Sequence, residues 1–107
     1  MKRRELLVEL GLEESIVFEN PDYDSAIIGY DENSGRVIYD YELMIEDLMD
    51  TDDMTYEDAM EFVDYNTVRA CPYMGDRAPI IMAGIADYMD YADTFKQSNN
   101  QSNEKEN

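Results

Sequence analysis

Carboxylates are the residues of this sequence whose number and spacing could do chemistry. The segment MIEDLMDTDDMTYEDAMEFVDY, residues 44–65, contains nine Asp or Glu residues and no Lys, Arg or His. Over the longer stretch from Glu5 to Val68, 20 acids accompany a single base, Arg36. Mixed charges stabilise a helix face that serves only solubility, so this imbalance favours a surface that offers negative charge to a partner. Solubility alone remains the alternative.

The acids between residues 42 and 64 recur in two rows with helical spacing. The first row is Glu42, Glu46 and Asp50, and the second is Glu57, Glu61 and Asp64. Four residues advance a helix by roughly 6 Å, and like charges at this spacing cost about 0.2–0.5 kcal/mol per pair. A DNA strand carries one phosphate per about 3.4 Å. Two adjacent rows would approach that density, which favours mimicry of a nucleic acid.

A second arrangement of oxygen ligands could bind a cation. The segment DENSGRVIYDYE places Asp31, Asn33 and Glu42 at the first, third and twelfth positions of an EF-hand-like loop. The glycine required at the sixth position is replaced by Arg36, and Gly35 lies one position earlier. Calcium binding is therefore an alternative to the main interpretation, and we expect neither a metal nor another cofactor.

Catalysis has little support in the sequence. The chain has no His, which removes the commonest general base and metal ligand. Its one thiol, Cys71, has Arg69 as its nearest cation along the chain and is more typical of a small buried apolar residue. We therefore expect a protein that is not an enzyme. A single Cys also fits the reducing bacterial cytoplasm, where we expect the protein to act.

The overall charge restricts the partners. The formal net charge is -18, while 44% of the residues are hydrophobic, enough for a folded core. Repulsion from phosphates makes direct binding to nucleic acid or to an anionic membrane unfavourable, so a basic protein surface is the expected counterpart. The remaining central bases, Arg69 and Arg77, are expected to form ion pairs that hold their connector against the acidic helices.

The elements that position the acids follow from periodicity and turn residues. Residues 2–11 predict a short amphipathic helix that ends at Gly11. Two β-prone segments flank DENSG, in which Gly35 can adopt a positive φ, and this pattern predicts a hairpin. Helices are predicted over 41–50 and after Thr55, whose side chain can cap at Asp58. Their predicted inward residues are Tyr41, Ile45, Leu48, Met49, Tyr56, Ala59, Met60, Val63 and Thr67.

These elements predict a small single α+β domain over residues 1–96. We expect an antiparallel hairpin or short sheet packed with three to four helices, the last from about Ile85 to Phe95. A final strand or turn is expected within residues 79–84. The polar segment QSNNQSNEKEN, residues 97–107, predicts a disordered tail.

Two long segments resemble a family of small uncharacterised proteins from phages and prophages of Firmicutes and gut bacteria. They are YDSAIIGYDENSGRVIYDYELMIEDLM and MTYEDAMEFVDYNTVRACPYMGDRAPIIM, and the resemblance extends from Phe18 to Met82. Many relatives have Leu at the position of Cys71, which speaks against a catalytic thiol. The resemblance implies a mobile-element protein. Small acidic proteins of such elements often block host defence, as several anti-CRISPR proteins and phage DNA mimics do.

Together these features predict a phage-encoded inhibitor of a host CRISPR nuclease, with a Cas9-type effector as the favoured target. Its acids would occupy a basic nucleic-acid-binding groove and block target DNA. The alternatives are a small phage protein that binds another host or virion protein, with acidity serving solubility, or a cation-binding protein. The expected partner-binding acids are Glu42, Glu46, Asp47, Asp50, Asp52, Asp53, Glu57, Asp58, Glu61 and Asp64, with Asp22, Asp24, Asp31 and Glu32 on the turns and Tyr56 and Tyr65 as aromatic anchors.

Overall fold

The hairpin around DENSG forms two strands of the sheet in the computed structural model, which describes residues 1–85. Strands β1 (Ile27–Tyr30) and β2 (Val37–Asp40) pair antiparallel, with an irregularity between Ile27 and Gly29. Gly35 has a φ of +74°, in the left-handed region that favours glycine, and its N–H donates to the Asp31 carbonyl at 2.7 Å. The predicted hairpin is therefore confirmed.

The third strand makes the sheet mixed. Strand β3 (Ile80–Met82) pairs parallel with β2, and the strand order is β1-β2-β3. The expectation of an antiparallel sheet is therefore wrong for this edge. The chain leaves β2 through helices and returns along the sheet in the direction of β2, and such a crossover connection produces a parallel pair.

Three α-helices accompany the sheet in the described part of the chain. They are α1 (Arg3–Glu9), α2 (Tyr41–Asp52) and α3 (Tyr56–Phe62). A π-helical turn, Val63–Thr67, and a 3-10 helix, Val68–Tyr73, continue α3. The N–H of Asp58 donates to the Thr55 hydroxyl at 3.2 Å, so the predicted cap of α3 is confirmed. The Asp40 carboxylate caps α2 in the same way, accepting from the N–H of Leu43 at 2.9 Å.

The core lies between the hairpin and the helix pair α2–α3. Its fully buried members include Tyr23, Val37, Tyr39, Met44, Ile45, Leu48, Ala59 and Val63. Most of the predicted inward positions of α2 and α3 are buried or half-buried, but Tyr56 is exposed and Met44 is buried although its burial was not predicted. The buried hydroxyls are satisfied, since Tyr23 and Thr67 share a hydrogen bond of 2.9 Å and Tyr39 accepts from the N–H of Phe18 at 3.1 Å.

Several expectations concern residues beyond the described part. The predicted helix to Phe95, the domain boundary at residue 96 and the tail over 97–107 lie outside residues 1–85. Within residues 1–85, no helix combines the length and the apolar character needed to cross a membrane.

Candidate protein-interaction surface

Helices α2 and α3 and the short connection between them carry a set of exposed acids that we call the acidic surface. Its members are Glu46, Asp50, Asp52, Asp53, Glu57, Asp58 and Glu61. Among residues 1–85, none of their carboxylates forms a salt bridge or accepts a hydrogen bond from a side chain or backbone group of a described partner. The helices position these acids because their opposite faces are anchored by fully buried Ile45, Leu48 and Ala59. Seven predicted contact residues are therefore exposed to solvent and have no such partner among residues 1–85.

In each of the two carboxylate rows, the acid at one end accepts a hydrogen bond from a tyrosine of the other helix. The Tyr56 hydroxyl of α3 donates to Glu42 of α2 at 2.7 Å. In return, the Tyr41 hydroxyl of α2 donates to Asp64, just after α3, at 2.7 Å. Burial, and next the bond to Asp64, raise the pKa of Tyr41 well above its usual range, so this hydroxyl remains a donor. Glu42 and Asp64 therefore join the two helices, while the middle of each row remains unpaired.

Asp47 differs from its exposed neighbours on α2 because it is half-buried. Burial raises its pKa above 3.8, and the neighbouring Asp22, Asp50 and Asp52 act in the same direction. Its carboxylate accepts a long hydrogen bond from Ser25 at 3.3 Å, which lowers the pKa in part. Asp47 therefore carries its charge at a cost that comes mainly from burial and that the neighbouring acids increase.

The acids predicted on the turns mostly hold the fold together. Asp24 accepts from the backbone N–H groups of Arg3 and Arg4, both at 3.0 Å, and so caps α1. Asp31 accepts from the hydroxyl and the N–H of Ser34, both at 2.8 Å, and these bonds lower its pKa. Glu32 is exposed and makes no such contact with a described residue.

Asp22 is the turn acid most fully engaged with cations. It accepts from the N–H of Asp24 at 3.1 Å and pairs with Lys2 at 3.2 Å and Arg4 at 3.8 Å. The backbone hydrogen bond is the main cause of its lowered pKa, which the two cations lower further. Asp22 thus has local partners that the acidic surface lacks.

The central arginines do not neutralise the acidic helices. Arg36 donates from Nε to the Ala78 carbonyl at 2.7 Å, which holds the connector before β3. The Arg69 guanidinium lies 4.3 Å from the centroid of the Tyr65 ring. Between described residues, neither Arg69 nor Arg77 forms a salt bridge, so the expected ion pairs are absent from this part of the chain.

A groove beside the acidic surface brings in residues that the sequence did not single out. It has a volume of about 400 Å³ and is lined by Asp58, Glu61, Phe62, Tyr65 and Asn66. The lining positions 58, 61, 62, 65 and 66 have the spacing of a single helical face, which continues from α3 into the π-helical turn. Tyr65 was predicted as an aromatic anchor, and this spacing could have grouped Phe62 and Asn66 with it.

The segment considered as an alternative calcium loop does not assemble as a site. Asp31 is engaged with Ser34 in the hairpin turn, whereas Glu42 accepts from Tyr56 on α3. Across residues 1–85, no three or more His, Cys, Asp or Glu side chains are grouped so as to hold a metal ion. The hairpin separates the two ends of the loop, because β1 precedes it and β2 lies within it, and among the described elements α2 is the only helix beside it.

Cys71 lies in a shallow pocket of about 520 Å³ between the 3-10 helix and β3. Its thiol donates to the Thr67 carbonyl at 3.4 Å, and burial raises its pKa above 9.0. A raised pKa disfavours the thiolate, which is the nucleophilic form. The surroundings of Cys71 therefore suit a structural thiol better than a reactive one.

Comparison with known proteins returned no match to any protein-family model, any curated protein or any solved structure.

Proposed function

We propose that this protein is a phage-encoded inhibitor that places its acidic surface against the basic nucleic-acid-binding groove of a host enzyme. A CRISPR effector nuclease of the Cas9 type is the leading target, met in the cytoplasm of the bacterial host. The observation that supports the proposal is the set of seven exposed acids, on α2, on α3 and on the connection between them, that have no cationic partner among the described residues.

The proposed mechanism is occupation of a site and involves no catalytic step. Cas9-type effectors hold nucleic acid in a positively charged channel and read the adjacent duplex motif with arginines. Carboxylates can accept charge-assisted, often bidentate, hydrogen bonds from such arginines. Target DNA would then compete with the inhibitor for the same cations. A net charge of -18 would accelerate the encounter with a basic groove, most strongly at low ionic strength.

The cost of the acidic surface favours a binding role over solubility alone. Like charges at helical spacing destabilise a helix by about 0.2–0.5 kcal/mol per pair, and Glu46 has such neighbours at both Glu42 and Asp50. Lys or Arg in place of some of these acids would keep the surface soluble and add stabilising pairs. The exclusion of cations from this surface therefore has a physical reason if the surface must meet cations of another protein.

The direct experiment combines the purified protein with guide-loaded Cas9 and labelled target DNA. Preincubation with the inhibitor should prevent DNA binding and cleavage, and the effect should weaken as salt rises. Addition after the DNA has bound should inhibit less, because the groove is then filled. Unimpaired DNA binding and cleavage at high molar excess would reject this nuclease as the target.

A charge-reversal variant tests whether the acidic surface is responsible. Replacing Glu46, Asp50, Glu57 and Glu61 by Lys should abolish inhibition, because these exposed positions would then repel the basic groove. Circular dichroism would show that the variant folds. Full inhibition by a folded variant would mean that the acids only serve solubility.

A further inference from the structure

The groove beside α3 combines two aromatic rings with two carboxylates and an amide. Asp58, Glu61 and Phe62 come from α3, while Tyr65 and Asn66 come from the π-helical turn that follows it. Phe62 is half-buried and packs against the core, so it forms a firm base. The Tyr65 ring stands beside it with 56% of its surface exposed. An exposed aromatic side chain of this kind is common at protein interfaces.

The Tyr65 ring already contacts one guanidinium. The Cζ atom of Arg69 lies 4.3 Å from its centroid, well inside the range of about 6 Å over which a cation is attracted to a ring face. Arg69 is not among the residues that line the groove. The described lining of the groove therefore contains no cation, but Arg69 already covers one face of the Tyr65 ring, so a guanidinium from a partner would stack on the other face or displace Arg69.

The polar groups of the groove also restrict the kind of cation that the groove can bind. Asp58 and Glu61 are exposed, and their carboxylates accept no hydrogen bond from a described residue. The Asn66 side chain is also exposed and supplies an amide oxygen that can accept. Acceptors next to an aromatic face suit a planar, multiply donating cation better than a compact one.

We infer that this groove receives an arginine side chain of the basic partner. The guanidinium stacks against Tyr65, its N–H groups donate to the carboxylates of Asp58 and Glu61, and the aliphatic stem covers Phe62. Lysine fits less well, because its ammonium is strongly hydrated and lacks a planar face. The inference rests on the proposed function, in which the acidic surface meets a basic protein, and it identifies the kind of residue that anchors the contact.

The test uses two fluorescent peptides of equal length and charge, one rich in arginine and one rich in lysine. General electrostatic attraction binds both equally, whereas the groove should bind the arginine peptide about three- to tenfold more tightly. Titration by fluorescence anisotropy at moderate salt measures this ratio. Equal affinities for the two peptides would overturn the inference.

Two variants at the exposed position 65 test whether the groove is the cause of the arginine-to-lysine affinity ratio. Tyr65→Ala removes the ring and should bring the arginine-to-lysine ratio close to one, with little change in lysine-peptide affinity. Tyr65→Phe retains the ring and should retain the ratio. An unchanged ratio in Tyr65→Ala would also overturn the inference, since another part of the surface would then be selecting arginine.

The peptide titration separates this inference from the proposed target. A clear arginine preference together with unimpaired Cas9 would reject the nuclease and leave the groove assignment intact. Inhibition of Cas9 without an arginine preference would reject the groove and leave the nuclease assignment intact.

Discussion

The start of the chain and the acidic surface use the same residue types in opposite ways. Around the first turn of α1, in a region that we call the N-terminal cluster, Lys2, Arg3 and Arg4 meet Glu19, Asp22 and Asp24 through ion pairs and backbone hydrogen bonds. All salt bridges between described residues lie in this cluster. The acidic surface has seven acids, and within residues 1–85 no cation forms a salt bridge with them.

The difference shows which acids are required by the fold. In the N-terminal cluster, hydrogen bonds and cations lower the pKa of Asp22, so its charge stabilises the folded state. On α2, burial and neighbouring acids raise the pKa of Asp47, so its charge opposes folding. The acidic surface is held in place by the buried apolar residues of α2 and α3, and its carboxylates form no ion pair with a described residue.

The largest expected effect comes from breaking the apolar anchor of the acidic surface. Leu48 on α2 is fully buried, so Leu48→Ala should lower the free energy of unfolding by about 2–5 kcal/mol through lost burial and a cavity. Urea denaturation followed by circular dichroism measures the change. Leu10→Ala, at a position that is 49% exposed, is the control and should change stability little. Similar losses in both variants would contradict an anchor at Leu48.

The second effect concerns the polar anchor of the N-terminal cluster. Asp24→Ala removes the acceptor for two backbone N–H groups of α1 and should cost about 0.5–2 kcal/mol. Glu9→Ala, an exposed acid in the same helix, controls for loss of charge and should change stability by less than about 0.5 kcal/mol. Equal unfolding midpoints for the two variants in urea would show that the cap does not hold α1.

The third prediction compares the two regions by pH. At neutral pH, Asp22→Asn should destabilise the protein and Asp47→Asn should stabilise it. The contribution of Asp22 is present above its unfolded pKa and disappears as pH falls through its folded pKa, which is below 3.8. The cost of the Asp47 charge disappears as pH falls through its folded pKa, which is above 3.8.

Urea midpoints for the wild type and both variants, measured from neutral to acidic pH, check these signs. Asn at position 47 can still accept from Ser25, so the comparison isolates the charge. Changes of the same sign at neutral pH would contradict the contrast between the two regions.

The smallest effect is the gain from removing one charge of the acidic surface. Glu46→Gln removes repulsion with two neighbours on its row and should raise stability by about 0.4–1 kcal/mol at low salt. The gain should shrink as salt screens the charges. Glu13→Gln, at an exposed position outside the helices, is the control. Thermal melting at two salt concentrations compares them, and a loss of stability in Glu46→Gln would mean that Glu46 has a stabilising partner.

Local signals in the sequence were enough to predict the hairpin and the helices that carry the acids. Gly35 in DENSG, the period of Ile45 and Leu48, and the Thr55 cap all act within a few residues, and each is confirmed. The parallel pairing of β3 could not be predicted, because it depends on how the chain returns after two helices. The capping of α1 by Asp24 could not be predicted for a similar reason, because its partners lie some 20 positions away along the chain.

Some features of the candidate site could likewise be predicted from the sequence, and others could not. Exposure of Glu46, Asp50, Glu57 and Glu61 followed from helical spacing and is confirmed. The cross-helix tyrosine bonds to Glu42 and Asp64 depend on the packing of α2 against α3, so no local pattern in the sequence predicts them. The groove lining at positions 58, 61, 62, 65 and 66 does have the spacing of one helical face, and that spacing could have grouped Phe62 and Asn66 with Tyr65.

The central claim is that the position of the charges matters as well as their number, and two matched variants test it directly. One replaces Glu46, Asp50, Glu57 and Glu61 by their amides, and the other does the same at the exposed acids Glu9, Glu13, Glu14 and Asp76. Both remove four charges from the formal net charge of -18. In the competition assay with guide-loaded Cas9 at fixed salt, the first variant should lose at least about tenfold in inhibition and the second less than about twofold. Equal losses in the two variants would contradict the account.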